Sequence, residues 1–466
     1  MFETRTYIER RQKLKNDIGG GLILMLGNEE TGMSYKDNCY PFRQDSSFLY
    51  FFGIDRPGLA AVLDIDNHRE MIFGDDLSVE QTVWTGYQEP LQLQSDRVGV
   101  AVVNPGNQLQ TVIQSAAGQG RKIHFLPPYR AEHQEKLDFL LGRFLNTTIG
   151  KHSIDLIRAI VSQRSAKSAE ELAELEKAVD LTIDMQLAAL QFGKEGISEA
   201  QVAGKMHSVA LGAGGSLAFP IILTVNGQIL HNHYSTRILH GGELVLSDCG
   251  AETAMHYCGD LTRTFPVNET FASKQKEIYD IVLNAHVAAT DQLKPGKPFK
   301  EVHLSACEKL VEGLQQLGLM KGDKREAVAA GAHTVFFPCG LGHMLGLDTH
   351  DMENLGEQYV GYTDQLKQST EFGLRSLRMG RPLEPGFVIT VEPGLYFIPS
   401  LIDLRRSENR FLEFINYDKV DEYKDFGGIR IEENFCITAD AAKLLGRTLP
   451  RTAGGIETLR NSLTSN

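Results

Sequence analysis

Glu243-Leu244-Val245-Leu246-Ser247-Asp248-Cys249-Gly250, and shortly after it Cys258-Gly259-Asp260-Leu261-Thr262-Arg263-Thr264-Phe265-Pro266, form the stretch on which the fold of this chain turns. Two short runs of strand-forming residues on either side of a polar interval predict a hairpin over Glu243–Asp248 and Asp260–Val267. Alternate residues of a strand share a face. Leu244, Leu246 and Asp248 therefore line up, with a carboxylate ending an apolar row, and Asp260 could meet it across the hairpin. Two close carboxylates repel unless a proton, an arginine or a metal lies between them. Taken alone, a turn aspartate and a surface aspartate account for the pair more simply.

A similar arrangement recurs downstream. Gly386-Phe387-Val388-Ile389-Thr390-Val391-Glu392-Pro393-Gly394 and Gly428–Ile437 read as a second strand set. Glu392 ends so apolar a strand that it needs a partner or a metal. In Gly427-Gly428-Ile429-Arg430-Ile431-Glu432-Glu433-Asn434, parity puts Arg430, Glu432 and Asn434 on one face and Glu433 on the other. Glu432 is thus the better functional candidate. Between the strand sets, Phe337-Pro338-Cys339-Gly340-Leu341-Gly342-His343 sets an imidazole among glycines, which let backbone approach closely. By itself it reads more simply as a surface histidine.

Helical patterns precede each strand set: Ala169–Phe192 and Ser198–Leu211, then Ser273–Leu293 and Lys300–Leu317. Helices then strands, twice over, predict an α+β domain of two similar halves. Ser168 with Glu171 has capping-box spacing and follows a polar break near Val161–Ser168. The chain therefore divides into residues 1–163 and 164–466. The front part alternates helical pieces (Tyr7–Asn16, Val79–Thr82) with strands at Gly21–Leu26, Leu59–Ile65 and Val98–Val103, an α/β layer without a glycine-rich phosphate loop.

Composition narrows the function classes. With 466 residues and net charge −13, the chain lacks the basic footprint of a nucleic-acid binder. Its longest apolar runs, such as Leu22–Leu26 and Phe48–Phe52, are five residues, against about 20 for a membrane span. The charged start, Met1 to Arg11, predicts no export. Six scattered cysteines with no C-x-x-C pair predict free thiols in a reducing, cytoplasmic setting. Asp248, Asp260, Glu392, Glu432 and His343 together give four carboxylates and one neutral imidazole, a set suited to two hard-to-borderline divalent ions. Such a pair can activate water for hydrolysis.

This Asp-Asp-His-Glu-Glu set resembles the signature of the pita-bread metallopeptidases, which include methionine aminopeptidase, aminopeptidase P and prolidase. The strings Gly259–Pro266, Thr390–Tyr396 and Gly428–Glu433 match in order and context. Tyr40-Pro41-Phe42-Arg43-Gln44-Asp45-Ser46-Ser47-Phe48-Leu49-Tyr50-Phe51-Phe52-Gly53 looks like the front domain of aminopeptidase P, and Gly373–Arg378 through Leu383–Gly386 looks like prolidase. The resemblance implies a C-terminal pita-bread domain of two pseudo-symmetric halves, helices on a curved, mainly antiparallel sheet, behind a smaller creatinase-like α/β domain.

It also implies residue roles. Asp248 would chelate one metal, Asp260 and Glu432 would bridge two, and His343 and Glu392 would hold the second, with Glu392 shuttling a proton. A hydroxide bridging the metals would be the nucleophile. His350 and His231 would act near substrate, with His233 as the fallback for His231, and Arg430 would orient the carboxylates. Arg378 resembles the prolidase arginine that binds a dipeptide's terminal carboxylate, a good match for a guanidinium fork. Trp84 resembles a tryptophan that reaches a neighbouring subunit's site. Local packing and solvent exposure account for these last two about as well. Cys339 stands where both families usually have histidine, and the Asp248–Asp260 spacing is one residue longer than usual.

The function implied is a proline-specific metallo-exopeptidase, an Xaa-Pro aminopeptidase. It would act on proline-containing peptides with two divalent ions, manganese foremost, with cobalt, zinc or iron as the other candidates. A homodimer or homotetramer is the expected assembly. The alternative is an Xaa-Pro dipeptidase. A non-catalytic binding relative, or the metal-free creatinase type, is disfavoured because all five ligand positions are filled.

Overall fold

The computed structural model describes residues 1–142 and 150–464. The chain forms two compact units, Met1–Arg164 with Asn354–Tyr359, and Ser165–Glu353 with Val360–Asn466.

The first unit is built on a five-stranded mixed sheet. Its strands are β1 (Leu22–Leu26), β2 (Ala60–Asp64), β3 (Arg69–Phe73), β4 (Val102–Asn104) and β5 (Ile123–His124), in the order β4-β3-β2-β1-β5. β1–β2 and β2–β3 pair antiparallel, while β1–β5 and β3–β4 pair parallel. Leu22, Leu24, Val62 and Phe73 of the sheet share a core with Ile113 and Leu137 of the helices Leu109–Gly118 and Ala131–Leu140. The strand expected over Val98–Val103 shrinks to its last part. Val98 caps the helix Leu91–Arg97, and Gly99 takes a φ of 75° and bonds back to Asp96, so the chain turns before it can enter the sheet.

In the second unit the two-fold recurrence is plain. Helices Ala169–Phe192 and Glu199–Gly212 precede β6 (Ser216–Leu217), β7 (Ile222–Thr224), β8 (Leu244–Cys249), β9 (Ala251–Glu252) and β10 (Leu261–Pro266). Helices Ser273–Thr290 and Phe299–Gln316 precede β11 (Val388–Val391), β12 (Gly394–Tyr396), β13 (Gly428–Arg430), β14 (Glu433–Ile437) and β15 (Ala442–Leu444). Every pairing among β6–β15 is antiparallel. The Ser168 capping box forms, with Glu171 N–H donating to Ser168 Oγ at 3.3 Å and Ser168 N–H to Glu171 Oε2 at 3.1 Å. The helix it starts buries Leu175, Val179 and Ile183 and packs on β8–β10. No helix among the described residues is long and apolar enough to cross a membrane.

Two details of register set up the site. β8 and β10 pair so that Asp248 stands opposite Thr262. The expected strand Gly428–Ile437 is instead broken at Ile431-Glu432 into β13, paired with β12, and β14, paired with β11. At the break Glu432 N–H turns to the Thr262 carbonyl at 3.2 Å, while Arg430 N–H donates to Thr264 Oγ1 at 3.2 Å. These bonds stitch the second half of the unit to β10 of the first.

Candidate metal centre

The stitch brings carboxylates from both halves together. Asp260, His343 and Glu432 are buried, each offering a ligand atom within 4.8 Å of the others. His343 Nε2 lies 3.4 Å from Asp260 Oδ2 and 3.6 Å from Glu392 Oε1. Asp248 and Asp260 face each other within hydrogen-bonding reach, acceptor against acceptor. All five residues singled out in the sequence thus fall in one cluster.

Each position has a local cause. Asp260 is held at its backbone by Asn434, whose Oδ1 accepts from Asp260 N–H at 3.1 Å and whose Nδ2 donates to Asp260 O at 2.5 Å. His343 rides on a segment laid against β11: Thr390 N–H donates to His343 O at 3.0 Å, and His343 N–H to Thr390 Oγ1 at 3.2 Å. Gly342 permits this, because a Cβ there would lie 2.0 Å from the Thr390 carbonyl oxygen. His343 Nδ1 lies 2.9 Å from the Met344 carbonyl, a geometry in which Nδ1–H donates and Nε2 turns its lone pair to the carboxylates. Glu432 Oε2 accepts from Thr262 Oγ1 at 2.7 Å.

Arg430 is the organising cation. Its Nε donates to Thr262 Oγ1 at 3.0 Å, one Nη to Tyr396 Oη at 2.9 Å and the other to Asp248 Oδ2 at 2.5 Å. Glu433, next to Glu432, points elsewhere and pairs with buried Arg263. Glu432 is the residue that reaches the site, as parity predicted, but it does so at a strand break rather than along a continuous strand.

One guanidinium does not balance four carboxylates. Burial first, then the neighbouring carboxylates, push the Asp260 and Glu432 carboxyls well above the usual range, and burial raises Glu392 as well. Burial lowers the pKa of His343 and keeps its ring neutral. Burial would lower Arg430 too, but the charges around it win and keep it protonated. Asp248 Oδ1, Asp260 Oδ1 and Glu432 Oε1 are buried with no hydrogen-bond partner among the described residues. Buried polar atoms are normally satisfied. Three orphaned carboxylate oxygens beside a neutral imidazole fit divalent cations.

The remaining candidates ring this cluster. His350 packs edge-on to His343, ring centroids 4.3 Å apart, and its Nδ1 lies 2.5 Å from Glu353 Oε2. Burial lowers its pKa to about 4, while the His350 hydrogen bond, followed by Arg378, holds Glu353 below its usual range. A neutral His350 donating Nδ1–H to an ionised Glu353 satisfies both. Arg378 Nε donates to the same Glu353 oxygen at 3.2 Å. His231 keeps an exposed face but is lowered in pKa by partial burial, then by Arg430. His233 is exposed and directs Nδ1 to the Ile221 carbonyl at 3.4 Å. Cys339 is half-buried near Glu392 and Tyr396, and burial pushes its thiol up to about 12, so it is not a reactive thiolate. Trp84 is 82% exposed, on the helix Val79–Thr85 of the first unit, none of whose residues is buried.

Thr262, Tyr396, Asn434 and Glu353 hold the site together and were not singled out from sequence. Thr262 follows Asp260 at the strand period of two, and Glu353 stands three residues after His350, so these two carried a local signal. Asn434 shared the face of Arg430 and Glu432 by parity, and Tyr396 carried no signal beyond its strand.

Comparison with known proteins follows the same outline. The profile of metallopeptidase family M24 matches residues 173–439, and that of the aminopeptidase P N-terminal domain matches residues 7–124. A probable Xaa-Pro aminopeptidase of Fusarium vanettenii is 31% identical over 449 residues, covering 94% of this chain and 91% of that protein. The Xaa-Pro dipeptidase of Homo sapiens is 29% identical over 467 residues, covering 96% and 90%. Among solved structures, zinc-substituted Escherichia coli aminopeptidase P in complex with product superposes with a TM-score of 0.81 at 28% identity, covering 99% of each chain.

Proposed function

The chain belongs to metallopeptidase family M24, and on that premise we propose that it is an Xaa-Pro aminopeptidase, a hydrolase that removes an N-terminal residue preceding proline. The observation that carries the reading is the convergence of Asp260, His343 and Glu432 on one buried point with carboxylate oxygens left unsatisfied. Full-length similarity to a probable Xaa-Pro aminopeptidase and to aminopeptidase P supports the proline specificity. An Xaa-Pro bond is a tertiary amide without an N–H, so an enzyme that grips that N–H cannot use it.

Asp248, Asp260, His343, Glu392 and Glu432 would hold two divalent ions, manganese by preference for oxygen donors. When bound, such ions supply an activated water and polarise the scissile carbonyl. The chain's own residues do the rest. Glu392, a carboxyl raised by burial, is suited to take and return a proton at its Oε. Arg430 fixes Asp248 directly and Glu432 through Thr262. His350, oriented by Glu353, and His231 at the rim would contact the substrate near the scissile bond. Trp84 would serve a neighbouring subunit in a homodimer or homotetramer, and the enzyme would work in the cytoplasm.

A second reading, an Xaa-Pro dipeptidase, is favoured by one observation. The charge of Arg378 acts on His231, His343, His350 and Glu392, close to where a dipeptide's carboxylate would lie. The deciding experiment compares turnover of an Xaa-Pro dipeptide with that of an Xaa-Pro-Yaa-Zaa tetrapeptide. Cleavage of the longer peptide is expected, and activity confined to dipeptides reverses the assignment. Hydrolysis that survives full chelation removes the metallopeptidase reading altogether.

A further inference from the structure

Outside this cluster the second unit holds another set of ligand-type side chains. His303 and Cys307 lie one turn apart on the helix Phe299–Gln316, the i,i+4 spacing that puts two side chains on one face. His333 comes from the 3-10 turn Ala332–Val335. One ligand atom from each of the three lies within 4.8 Å of the others. His303 Nε2 is 3.5 Å from Cys307 Sγ. All three residues are at most 2% exposed. His303 Nδ1 and His333 Nδ1 are buried with no hydrogen-bond partner among the described residues.

From this geometry we propose that His303, Cys307 and His333 form a second metal site, separate from the carboxylate cluster, that binds a borderline transition cation of the zinc type. Two imidazoles and a thiolate are softer donors than the oxygen-rich cluster and select zinc or cobalt over manganese. An ion held by bonds of about 2.0–2.3 Å would draw the three donors closer together than their present limit. The state of the rings suits the role. Burial pulls the pKa of His303 to about 3 and of His333 to about 4, so both offer lone pairs at neutral pH. Cys307 is the opposite case. Burial raises its thiol, so the cation must displace a proton, and binding is expected to weaken in acid.

The position gives the site a structural role. The turn that carries His333 leads through Phe337, which packs on the His303 ring at 5.8 Å, into the segment that carries His343. A cation at this point ties that segment to the helix Phe299–Gln316 and so positions His343 without touching substrate.

The test uses the full chain stripped of metal and titrated with cobalt(II) alone, in wild type and in an Asp260→Ala/Glu432→Ala variant that disables the carboxylate cluster. A thiolate-to-cobalt charge-transfer band is expected in both, and it should disappear in Cys307→Ser. Absence of the band, or its survival in Cys307→Ser, overturns the proposal. Should Cys307→Ser fail to fold, zinc-edge X-ray absorption on the zinc-loaded Asp260→Ala/Glu432→Ala protein decides. A sulfur scatterer at about 2.3 Å upholds the site, and a shell of nitrogen and oxygen only removes it. Neither readout depends on peptidase activity, so the site can fail while the assigned function stands.

Discussion

Lys167 and Asp351 form an ion pair, Nζ to Oδ2 2.9 Å, with both side chains only 1% exposed. Asp351 closes the loop that runs from His343 to His350. Its N–H donates to the Met344 carbonyl at 3.0 Å, and Gly346 is packed so tightly on it that a Cβ would sit 2.4 Å from its carboxylate. One charge at the start of the second unit thus anchors the loop bearing two candidate active-site histidines.

Removing one partner of a buried ion pair costs about 3–5 kcal/mol. Lys167→Met is expected to lower unfolding stability by that amount in urea titration, with loss of hydrolysis as the His343–His350 loop loosens. A change under about 1 kcal/mol, the range of exposed pairs, would show that the pair anchors nothing.

Neighbouring glutamates should separate function from stability. Glu432→Gln, like Asp260→Ala, is expected to abolish hydrolysis and divalent metal bound at the carboxylate cluster while leaving circular dichroism unchanged. Glu433→Gln removes the charge facing buried Arg263 and is expected to cost about 3–5 kcal/mol of stability, with near-normal kcat in the folded fraction at low temperature. Equal kinetic losses in the two variants would put Glu433 in the site and contradict the strand break.

Arg378 offers a specificity test. If its guanidinium reads a terminal carboxylate, Arg378→Ala should depress kcat/KM for an Xaa-Pro dipeptide at least tenfold more than for a tetrapeptide. A tenfold ratio corresponds to about 1.4 kcal/mol, modest for a charge-assisted bond. Equal losses would assign Arg378 to holding Glu353 instead.

His286 sets an acid limit on stability. Its ring is fully enclosed, and burial, with Arg451 and Arg263 adding, holds its pKa well below the ordinary 6.5. The unfolded chain therefore binds a proton that the folded chain refuses. Its contribution is intact above about pH 6.5 and is lost as pH falls from there toward the folded pKa, at up to about 1.4 kcal/mol per pH unit. Urea midpoints measured from pH 7.5 to 5 should fall, and His286→Gln should flatten that slope. An unchanged slope would exclude His286 as its source.

The sequence by itself determined a good deal. Apolar periodicity and the Ser168 cap placed the helix Ala169–Phe192 at its observed limits, and β-type runs placed β8 and β10, because these signals are local. Asp248 and Glu392 were legible as carboxylates ending apolar strands, Asp260 as facing Asp248 across a hairpin, Glu432 by strand parity and His343 as an imidazole among glycines. What only the tertiary structure decided lies in pairings far apart in the chain. The break at Ile431-Glu432 arises because Glu432 N–H finds the Thr262 carbonyl, and no local pattern encodes that partner. The first unit's strand expected at Val98–Val103 was cut back to its last part by a turn at Gly99. His303 and Cys307 were not singled out from sequence, and His333 joins them only through packing. Side-chain period is a property of neighbours in sequence. Whether buried donors meet at one point depends on the register of segments folded against each other from tens to well over a hundred residues away.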